Sequence, residues 1–354
     1  MYQLNEILEN KIITNLINGF ERSPVQLNKP HESDAEIIQL NNNTKLAVTT
    51  DSISEEISTG LYDDPYLIGW MIVTVNISDL AAVGAKPIGI LISEIIPKDF
   101  SDEKIKLLQK GISDACKKYH TYVLGGDTNE GVKLVLAGTA IGIINTQKIL
   151  SRIGCKPGDV LFSSGKLGIG NDYAVTKLFT SESSYSDYKP VARIKECELI
   201  SKYASTCMDT SDGLISTLDQ LMRINDIGFQ LHSNWKNVID DKATDYLKNH
   251  GIPTWLLLAG QHGEFELIFT IPTGLKESFL EDALLSGFAP IELGKVITEG
   301  EVKINIYGKV IPIDTTFIRN LPIETNGDLN QYLKKLLEYD NKLKNEPYLN
   351  FTTH

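Results

Sequence analysis

Apolar positions along the chain recur with two periods, one of helices and one of strands. Residues 3–19 place Leu4, Ile7, Leu8, Ile12 and Leu16 at helical spacing and predict an opening helix. "PVQLNKPHES" reads as a loop. "KLAVTT", Lys45 to Thr50, predicts a strand ending at Asp51. In "VTVNISDLAAVGAKPIGI" a helix pattern begins at Asp79 and is stopped by Gly84 and Pro87. "IGILISEII" then reads as a buried strand. Ser101 caps a helix over "DEKIKLLQKGISDACKKY". "TYVLGGD" is a strand running into Gly125, Gly126 and Asp127, and "VKLVLAGTAIGII" is another.

The glycine and proline of "SRIGCKPGD" mark a domain boundary near residue 150. Beyond it "DVLFSSG", "FELIFTI" and "KVIPID" predict strands, and "VARIKECELISKYA" predicts a helix. "GLISTLDQLMRI" sets Leu214, Leu218, Leu221 and Met222 on one helical face. "LNQYLKKLLEYDNKL" is an amphipathic helix suited to packing, in an extension over 326–354. Interleaved strands and helices in both halves predict α/β or α+β domains over 1–150 and 151–325.

Composition narrows the function classes. An apolar share of 42 % is enough to bury a core, and 23 % charged residues is ordinary for a globular chain. The formal charge of -12 argues against nucleic acid and anionic membranes as partners. No apolar run reaches the roughly 20 residues that cross a bilayer, and "MYQLNEILENKI" is unlike a signal peptide. Cys116, Cys155, Cys197 and Cys207 lack CxxC spacing and read as thiols of a reducing cytoplasm.

The candidate chemistry lies in aspartates at junctions beside apolar structure: Asp34, Asp51, Asp79, Asp127, Asp209 and Asp212. Any one of them reads equally as a helix cap or turn residue. As a group they suit Mg²⁺, which takes carboxylates, waters and substrate phosphates. Gly125 and Gly126 allow a backbone to approach a phosphate. "SSGKLGIGND" adds Gly165, Gly168 and Gly170, without the spacing of a Walker A loop. Free N–H groups of the helix beginning near Ser211 suit an anion.

"VTTD", "VNISDLAAVGAKP", "LGGDT", "SRIGCKPGDVLFSSGKLG" and "MDTSDGL" occur in the order seen in thiamine-monophosphate kinases, which the chain resembles over roughly residues 30 to 312. That family lies in the superfamily of aminoimidazole ribonucleotide synthetase, selenophosphate synthetase and the hydrogenase maturation dehydratase. The resemblance implies a two-domain α/β subunit and a homodimer with a shared barrel-like interface. ATP and several Mg²⁺ ions would sit between the domains. Carried over by motif, Asp34, Thr49, Thr50, Asp51, Asp79, Asp127, Asp209 and Asp212 would be magnesium ligands. Gly125, Gly126, Asp127, Arg152 and Ser211 would contact ATP. Asp127, Arg152 and Asp212 would be catalytic. Asp79 would hold magnesium where its helix starts.

The acceptor half departs from the family. Ser58 stands where the kinases place a histidine that helps hold thiamine phosphate. Gly263, in "QHGEFEL", stands where GGEDYEL places its acidic substrate contact, and Glu264 keeps a carboxylate one position later. The kinases' aromatic C-terminal motif has no counterpart. The expected activity is ATP- and Mg²⁺-dependent transfer of a phosphoryl group to a small-molecule acceptor, thiamine monophosphate in the kinases, with metals and positioning supplying the catalysis. Two alternatives stay open. One is a synthetase or dehydratase activating an amide or carbonyl oxygen; the other is a non-catalytic nucleotide-binding regulator. His262 reads as a turn histidine, and Trp70 and Trp255 as packing residues of the core or dimer interface.

Overall fold

Alternation of period two along Val135–Ile144 buries Leu136, Ala140 and Ile144 on one face. This strand, β5, is the centre of a five-stranded sheet. Its other members are β1 (Glu36–Asn41), β2 (Thr44–Ser52), β3 (Lys86–Pro97) and β4 (Val123–Gly131), in the order β1-β2-β5-β3-β4. Neighbours are antiparallel except β3 and β4, which run parallel with Ser93 opposite Asp127. A parallel pair needs a crossover, and α4 (Asp102–Tyr119) supplies it, capped by the Ser101 hydroxyl accepting from the Lys104 amide. The computed structural model describes residues 4–145, 148–179, 188–232, 235–243 and 252–345.

The helix expected to begin at Asp79 begins instead at Pro65. It is α3 (Pro65–Ala82), capped by Asp64 with proline in the first helical position. Asp79 therefore lies in its last turn. Polar residues inside "VTVNIS" obscure the helix, but two of them are satisfied within it. Thr74 Oγ1 donates to the Trp70 carbonyl at 3.0 Å and Asn76 Nδ2 to that of Ile72 at 2.9 Å. The helix is apolar on every side because it is buried on every side. It touches β2, β3 and β5, then α4, α6 and β7. It is long and apolar enough to cross a membrane by composition alone, and 83 % of it is buried inside the fold.

Other strand ends also shift. Asp51 lies inside β2 rather than at its end, and β4 runs on through Asp127 to Gly131.

The second sheet has β6 (Val160–Ser163), β7 (Thr206–Asp209), β8 (Gly228–Leu231), β9 (Leu267–Ile271), β10 (Ile291–Ile297), β11 (Val302–Ile306) and β12 (Lys309–Ile313). Their order is β12-β11-β8-β10-β6-β9-β7. Helices α5 (Ile169–Phe179), α6 (Ile194–Tyr203) and α7 (Leu214–Asn225) belong to this half. So do Lys276–Leu285, Thr315–Glu324 and the C-terminal Leu329–Asn345, whose Leu336 and Leu343 enter the core. The opening helix, expected over 3–19, is a 3₁₀ turn (Leu4–Glu6) followed by α1 (Leu8–Ile17). It too is held by this half. The Leu8 amide donates to Asn320 Oδ1 at 2.8 Å, and Asn10 Nδ2 to Gln220 Oε1 at 2.9 Å.

The halves meet along a third apolar cluster. Ala81 and Ala82 of α3 pack there with Phe162, Phe269 and Phe279. The edge strand β7 touches α3, which brings Asp209 beside the helix end carrying Asp79.

Two glycines set how closely α3 and α4 cross. A Cβ on Gly69 would stand 2.0 Å from the Leu108 carbonyl oxygen, and one on Gly111 would stand 2.1 Å from that of Tyr66. Backbone cannot yield as a side-chain tip can. Gly69→Ala should therefore cost roughly 1–3 kcal/mol in urea unfolding. Gly274→Ala, where a methyl meets open space, should stay within about 0.5 kcal/mol. Equal stabilities for the two variants would remove the close-crossing account.

Candidate active site

Carboxylates from separate elements converge at the seam. Asp34 comes from the loop before β1, Asp79 from the end of α3 and Asp209 from the end of β7. Each offers an oxygen within 4.8 Å of those of the other two. Asp51 of β2 adjoins Asp79, and Thr49 Oγ1 donates to Asp79 Oδ2. Ser78 Oγ donates to Asp209 Oδ2 at 2.5 Å, and the Ser211 amide to Asp209 Oδ1 at 3.4 Å. The cation in direct contact is Arg152, whose Nη2 donates to Asp34 Oδ1 at 2.9 Å. Asp34 Oδ2 is buried and has no hydrogen-bond partner. Arg152 is held at its backbone, its amide donating to the Glu32 carbonyl and its carbonyl accepting from Asn225 Nδ2.

The electrostatics of this arrangement are unfavourable as it stands. Asp79 faces the negative end of the α3 dipole, where a carboxylate is disfavoured. Burial, then Asp51, Asp209 and Asp34, push its carboxyl well above the usual range. Burial and then Asp34 push Asp209 up to about 7. Burial and then Glu9 push Asp212 up to about 6. Asp51 is raised by burial and then by Asp34, against a hydrogen bond with Asp79. The donor set is all oxygen, crowded, and short of positive charge. That is what a hard divalent cation requires, and the partnerless Asp34 Oδ2 is a further sign of the fit.

The remaining site residues stand around this cluster. Thr50 Oγ1 is turned to the Gly138 carbonyl at 2.8 Å. Asp127 is exposed on β4, its Oδ2 accepting from Asn129 Nδ2 at 2.6 Å. Gly125, Gly126 and Asp127 line a cavity of about 850 Å³ between α4 and the β3–β4 edge, with Cys116 and Lys117 opposite. Gly126 answers to the sheet: a Cβ there would stand 1.9 Å from the Ile92 carbonyl oxygen. Asp212 lines a second cavity of about 640 Å³ with Glu56, His262, Arg319 and residues of α5 and the C-terminal helix.

The residues expected to line an acceptor pocket are placed differently from one another. Ser58 is exposed, and its hydroxyl donates to the Glu55 carbonyl at 2.9 Å. Gly263 is packed backbone to backbone, where a Cβ would come within 1.4 Å of the Thr210 carbonyl oxygen. Glu264 is buried and accepts from the Gly168 and Gly170 amides at 2.8 and 3.3 Å. The glycine-rich loop thus holds the chain's own carboxylate, which burial nonetheless pushes up to about 8. His262 is buried beside Tyr62, with burial pushing its pKa down to about 3, in keeping with a packing histidine. Trp70 and Trp255 are buried, donating to the Pro190 carbonyl and Asp340.

Glu9, Glu56 and Arg319 line the second cavity without having been marked by any motif. Glu56 lies five positions after Asp51 in a short helix. Arg319 sits inside an ordinary amphipathic helix with no local signal at all.

Comparison with known proteins accords with this geometry. Residues 32–144 match the family "AIR synthase related protein, N-terminal domain". Thiamine-monophosphate kinase of Methanocaldococcus jannaschii is 31 % identical over 315 residues, 83 % of this chain and 94 % of the relative. That of Bacillus subtilis is 28 % identical over 267 residues, 67 % of this chain and 76 % of the relative. Among solved structures, AaThiL complexed with AMPPCP and TMP superposes with a TM-score of 0.71 at 23 % identity, covering 88 % of this chain and 96 % of that one. HypE of E. coli, a hydrogenase maturation protein, shares the fold with a TM-score of 0.66 at 17 % identity, covering 87 % and 98 %. With sequence similarity of that extent and two mixed α/β halves meeting at a carboxylate seam, the chain belongs to the thiamine-monophosphate kinase family.

Proposed function

We propose that the chain is an ATP- and Mg²⁺-dependent phosphotransferase that transfers the γ-phosphoryl group of ATP to thiamine monophosphate. The observation that carries this reading is the convergence of Asp34, Asp79 and Asp209 on one point at the seam. With them Thr49, Thr50, Asp51, Asp127 and Asp212 would complete the magnesium ligands. Bound there, magnesium neutralises phosphate charge and aligns donor with acceptor. Gly125, Gly126, Asp127, Arg152 and Ser211 would hold the nucleotide, entering from the cavity under α4. Arg152, Asp127 and Asp212 are the groups we assign to the reacting phosphates. The acceptor is a phosphate, so a strong general base is unnecessary. The second cavity, next to Asp212, is the place for the acceptor.

Residues 1–150 would form the nucleotide, metal and dimerisation unit, 151–325 the second unit and 326–354 an extension, helical over Leu329–Asn345 and beyond that outside the described residues. Tyr122, Val123 and Leu124, exposed at the start of β4, with Leu91 of β3, would meet a second copy across a two-fold axis. Four buried free thiols suit a reducing cytoplasm.

The direct test is acceptor-dependent ADP release. Thiamine monophosphate should stimulate it with Mg²⁺ present and not in EDTA. Release that ignores the acceptor would rule the kinase reading out.

The seam also predicts an opposition between stability and activity. Asp209 titrates near 4 in an unfolded chain and at about 7 here. A raised folded pKa favours the fold while the group is protonated, below the unfolded value, and that favour is lost as pH rises through the folded value. In EDTA, Asp209→Asn should therefore melt above the wild type, by a margin that grows from about pH 4 to about pH 7. Excess Mg²⁺ should shrink or reverse the margin above pH 7. The same variant should lose ADP release by roughly a hundredfold or more. A melting difference insensitive to both pH and Mg²⁺ would count against the metal site.

A further inference from the structure

A buried aromatic cluster joins the two halves of the molecule. It consists of Tyr62 from the first half and Tyr173, Tyr188 and His262 from the second. Tyr173 and Tyr188 stack with centroids 4.6 Å apart, and His262 meets Tyr62 edge-on at 5.5 Å and Tyr188 at 5.1 Å. Ring pairs of this kind hold their relative orientation. Tyr62 Oη and His262 Nε2 share a hydrogen bond of 3.2 Å. Burial pushes the His262 pKa down to about 3, so the bond joins two uncharged groups. In "QHGEFEL" this imidazole takes a place that GGEDYEL gives to glycine.

Each partner in that bond is anchored in a stretch of the second cavity's wall. The His262 amide donates to Asn171 Oδ1 at 3.0 Å, and the Gly263 carbonyl accepts from Tyr188 Oη at 2.7 Å. The Tyr62 amide donates to the Glu56 carbonyl at 3.1 Å, and Tyr173 Oη to the Leu61 carbonyl at 2.9 Å. Glu56, Thr59 and Leu61 line the cavity from the first half, and Gly260, Gln261 and His262 from the second. Glu56 Oε2 is buried without a hydrogen-bond partner. The place of that side chain is therefore set by the backbone that carries it, and this backbone hangs on Tyr62.

Resting on the phosphotransferase reading, we propose that His262 is a positioning residue for the reaction. Through Tyr62 it fixes the first-half wall of the cavity against the second-half wall, and so sets how tightly an acceptor is held. It acts on binding alone, because the carboxylate seam is assembled by Asp34, Asp79 and Asp209 without it. Small displacements of a positioned group are costly to the affinity it supports.

Steady-state ADP release by the full chain in Mg²⁺, with thiamine monophosphate and ATP varied in turn, separates positioning from packing. Tyr62→Phe removes one oxygen and keeps the ring. It should raise the KM for thiamine monophosphate roughly five- to tenfold, with kcat and the KM for ATP held within about twofold. His262→Leu should act in the same direction, and the double variant should be no worse than the weaker single one, since all three lose the same bond. His262→Gln offers an amide to Tyr62 in place of the imidazole and should restore the KM to within about twofold of the wild type. A Tyr62→Phe chain that melts lower yet keeps the wild-type KM overturns the inference. So does one whose kcat falls along with its affinity, one that does not fold, or a Gln variant no better than Leu. Where variants are indifferent but the wild type turns over thiamine monophosphate, this inference alone is lost. A wild type that releases no ADP with it removes the kinase reading and this inference together.

Discussion

Mutual repulsion among carboxylates at the seam is the constraint around which the rest is arranged. Asp34, Asp51, Asp79 and Asp209 come from four separate segments, and among the described residues the one cation bonded to any of them is Arg152, at Asp34. No local propensity places an aspartate in the last turn of a buried helix, since the dipole and desolvation both oppose it. Strong scaffolding is needed to keep them together. The close crossing of α3 and α4 fixes the helix that carries Asp79. The packing of Ala81 and Ala82 against the phenylalanines of the second half fixes its neighbour Asp209. Strain at a site paid for by packing elsewhere is the usual economy of a functional centre.

Much of this was legible in the sequence, for reasons that differ by element. Helices α4 and α7 announce themselves because each has one wet face and one dry face. The strand β5 does so because it alternates. Helix α3 reads from sequence as starting at Asp79 rather than at Pro65 because it is buried all round and has no period to read. The aspartates were found through their motifs, yet the motifs could not say which of them meet. Asp34, Asp79 and Asp209 converge, while Asp127 stands exposed on β4 and Asp212 opens onto another cavity. Glu9, Glu56 and Arg319 were missed because their nearness is purely tertiary.

The glycine-rich loop after β6 shows how a local pattern misleads. Glycine at 168 and 170 does present amides to an anion, as the composition suggests. What they hold is the carboxyl group of Glu264, from a segment almost a hundred residues later, and the loop thereby helps hold the two sides of the second half together. A cradle of amides filled from within is a structural joint.

The hydrogen bond from Leu8 to Asn320 spans 312 residues. Glu9, beside it in sequence, reaches Arg319, and the two share the wall of the second cavity. On a ribosome adding about 5–20 residues per second, the first helix waits roughly 15–60 s for its partner to be synthesised. The first sheet and α3 share a core built mostly from residues 35–144 and completed by Tyr173, Tyr188, Ala192 and Phe265, all synthesised before Asn320, so they have the means to assemble during that wait. The wall of that cavity is thus the last part of the molecule to close, and a nascent chain carries its aspartates before the cavity beside Asp212 exists.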